Sequence, residues 1–79
     1  MEKFNNPIAN KIYIILNPLV GDMMTCGILK TQAKKIGCTE ETFLSQHLPA
    51  IAEGVERGLI VLLGSEVAKR IGNRIRSIS

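Results

Sequence analysis

The chain has 79 residues, is 46% hydrophobic with only Phe4, Tyr13 and Phe43 as aromatics, and carries a net charge of +3. That length makes residues 1–79 a single domain with a small, mostly aliphatic core. It leaves surplus apolar surface that a partner subunit can cover. The longest apolar runs, IYIIL and LIVLL, fall far short of the ~20 residues of a membrane-spanning helix, and Cys26 and Cys38 make no disulfide framework.

The first element is announced by Asn6-Pro7, an N-cap followed by proline at the first helical position. Ile8, Ile12, Ile15, Leu16 and Leu19 then recur at helical spacing. The same stretch, residues 8–16, also reads as a short strand, because periodicity alone does not separate the two. Asn17-Pro18 is expected to break or kink the element. Gly21-Asp22 reads as a turn with Asp22 as N-cap, opening a second helix from about Met23 to Ile36. Its core face is expected to hold Met24, Ile28, Ala33 and Ile36, with Leu29 at the edge. Lys34 and Lys35 suit the negative end of that helix, and Gly37 suits its left-handed cap.

Thr39, followed by Glu40 and Glu41, has the chemistry of a third helix start. Pro49 either ends a short helix of about residues 40–48 or kinks a longer one. Beyond it, Ile51, Val55, Leu59 and Leu62 form a continuous stripe, widened by Ile60, Val61 and Leu63. A helix apolar nearly all round is buried in a core or in an interface. Gly64-Ser65 separates it from a last helix of about residues 66–78, with Val67, Ile71, Ile75 and Ile78 on one face. The predicted fold is all-α: a small bundle of four short helices, five if Pro49 separates two, with short connections.

Charge is distributed in blocks. Residues 23–38 hold Lys30, Lys34 and Lys35 and no acid. Residues 39–58 hold Glu40, Glu41, Glu53 and Glu56 against Arg57. Residues 59–79 hold Lys69, Arg70, Arg74 and Arg76 against Glu66. Attraction between neighbouring helices accounts for this alternation, and the four cations of the last helix read as a solvated face rather than a lipid- or nucleic-acid-binding surface.

Two features bear on function. The window TQAKKIGCTEETFLSQHL, residues 31–48, resembles a DNA-binding helix-turn-helix at Ala33, Ile36, Gly37 and Phe43. If it read DNA, Lys34, Lys35, Thr39, Thr42, Ser45 and Gln46 would make the contacts. Against this, Glu40 and Glu41 stand where phosphates should lie, and Gln46 occupies a position that should be apolar. The second feature is Gly54-Val55-Glu56-Arg57-Gly58. Glycines one turn apart admit a close helix neighbour, and each costs about 1 kcal/mol of helix propensity relative to alanine. The neighbour is either another helix of this chain or a second copy, and the contact would be carried by Gly54, Val55, Gly58, Leu59 and Leu62.

Other chemistry finds little support. Cys26, Cys38 and His47, even with Met23 and Met24, lack the paired spacing of metal ligands, so no metal or cofactor is expected. One histidine and one aspartate without a phosphate loop give no acid–base set, so no enzymatic activity is expected either. The segment MEKFNNPIAN lacks the order of a signal peptide, which with the unpaired cysteines points to the cytoplasm. The reading favoured by the residues is a protein–protein interaction or regulatory module that forms a homodimer or binds a protein partner. The alternative is a small helix-turn-helix-like DNA-binding protein.

Overall fold

A computed structural model describes residues 4–78. It contains four α-helices: α1 (Pro7–Val20), α2 (Asp22–Ile36), α3 (Leu48–Leu63) and α4 (Ser65–Arg76). Successive helices pack on one another, α3 most extensively on α4, and α1 closes on α4. The fold is therefore the expected small all-α bundle, and residues 8–16 are helical. The core is aliphatic around one aromatic ring, with Ile12, Leu16, Leu29, Phe43, Ile51, Val55, Leu59 and Ile75 all fully buried.

Asn6 caps α1 as its sequence position requires: its side-chain oxygen accepts from the Ile8 and Ala9 amides at 2.9 and 3.1 Å. The helix continues past Pro18 to Val20, where the sequence anticipated a break. Proline there removes only the hydrogen bond to the Ile14 carbonyl, on a side of the helix where Ile14 is 67% exposed and water can replace the donor. Helical bonding resumes at Gly21, whose amide donates to the Asn17 carbonyl at 2.9 Å.

Gly21 and Gly64 are near-identical one-residue joints. Each ends one helix and begins the next, at φ/ψ of 88°/167° and 86°/161°. That region of backbone space is open essentially to glycine alone. Each carbonyl accepts from the amide four residues on, Thr25 at 3.0 Å and Ala68 at 3.1 Å. The expected capping role of Asp22 thus falls to Gly21. Asp22 lies inside the first turn of α2 and accepts a hydrogen bond from the Tyr13 hydroxyl. α2 ends as anticipated, with Gly37 left-handed at φ 79° and the Cys38 amide donating back to the Ala33 carbonyl.

The helix expected at residues 40–48 does not form. The segment is two 3-10 turns, Glu40–Thr42 and Ser45–His47, separated by extended backbone at Phe43 and Leu44. Local side chains hold it. Thr39 and Thr42 bond each other reciprocally, and the Leu44 amide donates to His47 Nδ1 at 3.0 Å. Tertiary bonds add to this: the Asn6 side-chain amide donates to the Phe43 carbonyl at 2.8 Å and the Glu41 carbonyl at 3.1 Å, and Glu41 accepts from the Asn5 amide. These partners hold backbone groups that a continuous helix would pair internally, and they aim the Phe43 ring into the core. Pro49 neither ends nor kinks a helix. It lies in the first turn of α3, where its missing N–H needs no partner.

Candidate functional site

The geometry around α2 and α3 follows from which α2 residues reach the core. The buried face is Thr25, Leu29, Gln32 and Ala33, with Ile36 half-buried. Of the anticipated face of Met24, Ile28, Ala33 and Ile36, Ala33 is buried and Ile28 and Ile36 pack half-buried against the core, while Met24 is exposed and Leu29, expected at the edge, lies at the centre. Two polar residues are buried beside them. Thr25 is buried because its hydroxyl bonds the Gly21 carbonyl at 2.7 Å within its own helix, so no polar atom is stranded. Gln32 is buried because its amide lies over Gly54, occupying the place a Cβ would take. The consequence is a second, outward stripe on α2 at i, i+4, i+7 and i+11: Met24, Ile28, Thr31 and Lys35.

This stripe forms one wall of an open groove of about 650 Å³ between α2 and α3. The other wall is α3, with Gly54, Arg57, Gly58 and Leu62, and Val55 and Leu59 lie at the bottom. The groove has a polarity gradient. Met24, Ile28, Gly58 and Leu62 make one end apolar. At the other end it continues into a smaller depression of about 240 Å³ whose lining includes Gln32, Lys35, Glu53 and Arg57. The two helices thus run in opposite senses, and the Gly21 and Gly64 joints lie at the same, apolar end. Most of the exposed large apolar side chains gather beside those joints: Leu19, Met23 and Met24 at one, Ile60, Val61, Leu62 and Val67 at the other. Met23 and Val61 are 88% and 87% exposed.

The five residues proposed for a helix contact all line this groove, but they do different jobs. Val55 and Leu59 are 1% exposed and belong to the chain's own core. Gly54 has an internal reason to be glycine, the Gln32 amide. Gly58 and Leu62 face outward. A Cβ added at Gly58, or at Gly27 on the opposite wall, would meet nothing within 4 Å. Neither glycine has a positive φ, so neither is required by the backbone or by internal packing. Their effect is to keep the groove deep.

The residues named for DNA contact are exposed, but no recognition helix carries them. Lys34 and Lys35 close α2, Thr39 and Thr42 are tied to each other, and Ser45 and Gln46 belong to the second 3-10 turn. Eleven residues, 37–47, separate α2 from α3, far more than the 3–4-residue turn of that motif.

Charge alternation is realised between α3 and α4: Arg76 of α4 reaches Glu56 of α3 at 3.3 Å across Gly72, whose missing side chain makes room for the Glu56 carboxylate. Glu53 and Arg57 pair along α3 at 2.8 Å, both well exposed. Lys35 has no ion-pair partner among the described residues. Cys26 and Cys38 are free and half-buried, and His47 serves the backbone as an acceptor. Among the described residues no group of three metal-ligating side chains assembles, and no helix is long and apolar enough to cross a membrane. Comparison with protein-family models, curated proteins and solved structures finds no match to this chain.

Proposed function

We propose that this chain is a small helical protein–protein interaction module that self-associates through the α2–α3 groove, with Gly58 and Leu62 at the contact, Gly54 in the same wall and Val55 and Leu59 forming the floor. The observation that carries the reading is the pair Gly27 and Gly58. Each weakens its own helix by about 1 kcal/mol relative to alanine, and at neither would an added Cβ meet any of the described residues within 4 Å. A helix laid into the groove could approach both closely, in the manner of helix-in-groove recognition. Met24, Leu62 and the exposed Val61 supply apolar area for the contact. The free thiols fit a reducing compartment, and the cytoplasm is the location this reading assigns.

Sedimentation equilibrium at high micromolar concentration tests it. A dimer is expected for the native chain. Gly58→Leu should yield a folded monomer, because its Cβ meets nothing within 4 Å and the rest of the side chain can lie in the open groove. A native chain that sediments as a monomer would sink the proposal. Salt-sensitive retention of that monomer on duplex DNA would favour the nucleic-acid reading instead.

A further inference from the structure

The α2–α3 groove holds a nearly buried polar side chain with nothing to bond. Gln32 is only 6% exposed, and its carboxamide lies over Gly54. Among the described residues that carboxamide makes no hydrogen bond. No fully enclosed side-chain N or O atom among them lacks a partner, so the Gln32 amide keeps an opening, onto the groove and the depression that it lines. Buried polar groups are ordinarily paired, and here the partner has to come from inside the groove.

The surroundings of Gln32 define that partner. Lys35, one turn further along α2, lines the same two hollows and has no ion-pair partner among the described residues. Arg57 is paired with Glu53 at 2.8 Å. Two cations against one acid leave this end of the groove with one positive charge. The opposite end, at Met24, Ile28 and Leu62 over Val55 and Leu59, has no titratable side chain. From Lys35 to Met24 is eleven residues of helix, about 16 Å, which is the reach of an extended medium-length alkyl chain.

We propose that the groove binds a single-chain alkyl carboxylate. The Gln32 N–H and the Lys35 ammonium donate to the carboxylate, and the chain runs over Val55 and Leu59 toward Met24 and Leu62. Charge-assisted hydrogen bonds of this kind are the strong ones. An extended peptide matches the groove poorly, because it would set unpaired N–H and C=O groups against the apolar end. An alkyl carboxylate confines its polar atoms to the end that has donors for them. The site is complete within one copy and goes beyond the self-association reading. A bound chain and a second copy compete for the same groove.

Calorimetric titration of the dilute chain with laurate, below the concentration at which laurate forms micelles, tests this. One laurate should bind per chain. Lauryl alcohol should bind about tenfold more weakly for want of the charge, and butyrate should not bind measurably. Lys35→Glu should weaken laurate binding about tenfold or more. Lys34→Glu makes the same change of net charge on a residue that does not line the groove, and it should leave binding unchanged. Gln32→Leu keeps an apolar body over Gly54 and loses the amide, so it should also weaken binding. Gly58→Leu should abolish it by filling the groove, with the fold checked by circular dichroism. Absence of saturable laurate binding overturns the proposal. So does equal affinity for lauryl alcohol, an equal loss in Lys34→Glu and Lys35→Glu, or undiminished binding to folded Gly58→Leu. Sedimentation equilibrium separates this from the self-association reading. Stoichiometric laurate binding to a chain that is monomeric throughout upholds the site and refutes self-association. Binding that leaves a native dimer intact upholds the site and moves the dimer contact off the groove.

Discussion

Replacing Gly58 by alanine separates two explanations of why that position is glycine. Within the monomer the new methyl group meets nothing within 4 Å, and the residue is an ordinary helical one. Alanine should therefore stabilise the isolated chain by about 0.8–1 kcal/mol, the full difference in helix propensity. For a domain of this size that corresponds to a rise in Tm of about 4–8 °C. Gly27→Ala, on the facing wall, should give a similar gain. Gly54→Ala is the internal control. Its methyl group would displace the buried Gln32 amide, so the helix gain should be offset and the stability should not rise. The assay is thermal and urea unfolding followed by far-UV circular dichroism, in dilute solution where association is absent. If Gly58→Ala and Gly27→Ala destabilise the dilute chain, the open groove is wrong, and some part of the chain packs onto those glycines.

Gly64→Ala should cost about 1–3 kcal/mol although its methyl group also meets open space, because only glycine relaxes at φ 86° and ψ 161°; equal stability to the native chain in urea melts would mean the joint is not strained. Asn6→Ala removes both the α1 cap and the donor to the Glu41 and Phe43 carbonyls, for a loss of about 2–3 kcal/mol. Asn6→Ser keeps a capping oxygen and loses the amide donor to the two carbonyls, so its urea midpoint should fall between those of the native chain and the alanine variant; a midpoint at or below that of alanine contradicts the split. Phe43→Ala empties the one aromatic position in the buried core, at a cost of about 3–5 kcal/mol, close to the whole stability of so small a domain. It should leave the chain largely unfolded at 37 °C by circular dichroism, and a cooperative melt near the native temperature would show that the loop does not anchor the core.

Much of this fold is legible in the sequence where local chemistry acts alone. Asn6-Pro7, Gly37 and the α3 stripe of Ile51, Val55 and Leu59 behave as their types and spacing require, because each is decided within one or two turns. The misreadings share a different cause. Residues 40–48 have a good helix start at Thr39, but their backbone is claimed by Asn6, more than thirty residues away, and by the need to bury Phe43. Pro49 lies in a first turn, as Pro7 does, but no capping side chain precedes it, so after the helix-start chemistry of Thr39, Glu40 and Glu41 it reads as the end or kink of a helix. In α2 the apolar residues Met24, Ile28, Leu29, Ala33 and Ile36 span two faces. Spacing favoured the one with more large side chains. The core keeps Ala33, with Ile28 and Ile36 packed against it, but centres on Leu29 and leaves Met24 exposed, since Thr25 can satisfy its hydroxyl internally and Gln32 can lie over Gly54. The paired glycines were visible as a motif, but their different roles were not. Gly54 answers to a residue on another helix, and Gly58 answers to nothing among the described residues. Gly27, the third glycine of the groove, had no sequence partner to mark it.

Sedimentation equilibrium of the native chain beside Gly58→Leu tests the central claim most directly. The account predicts a concentration-dependent dimer for the native chain and a folded monomer for the variant. A native monomer throughout the high micromolar range, or a variant that dimerises as strongly as the native chain, would contradict it.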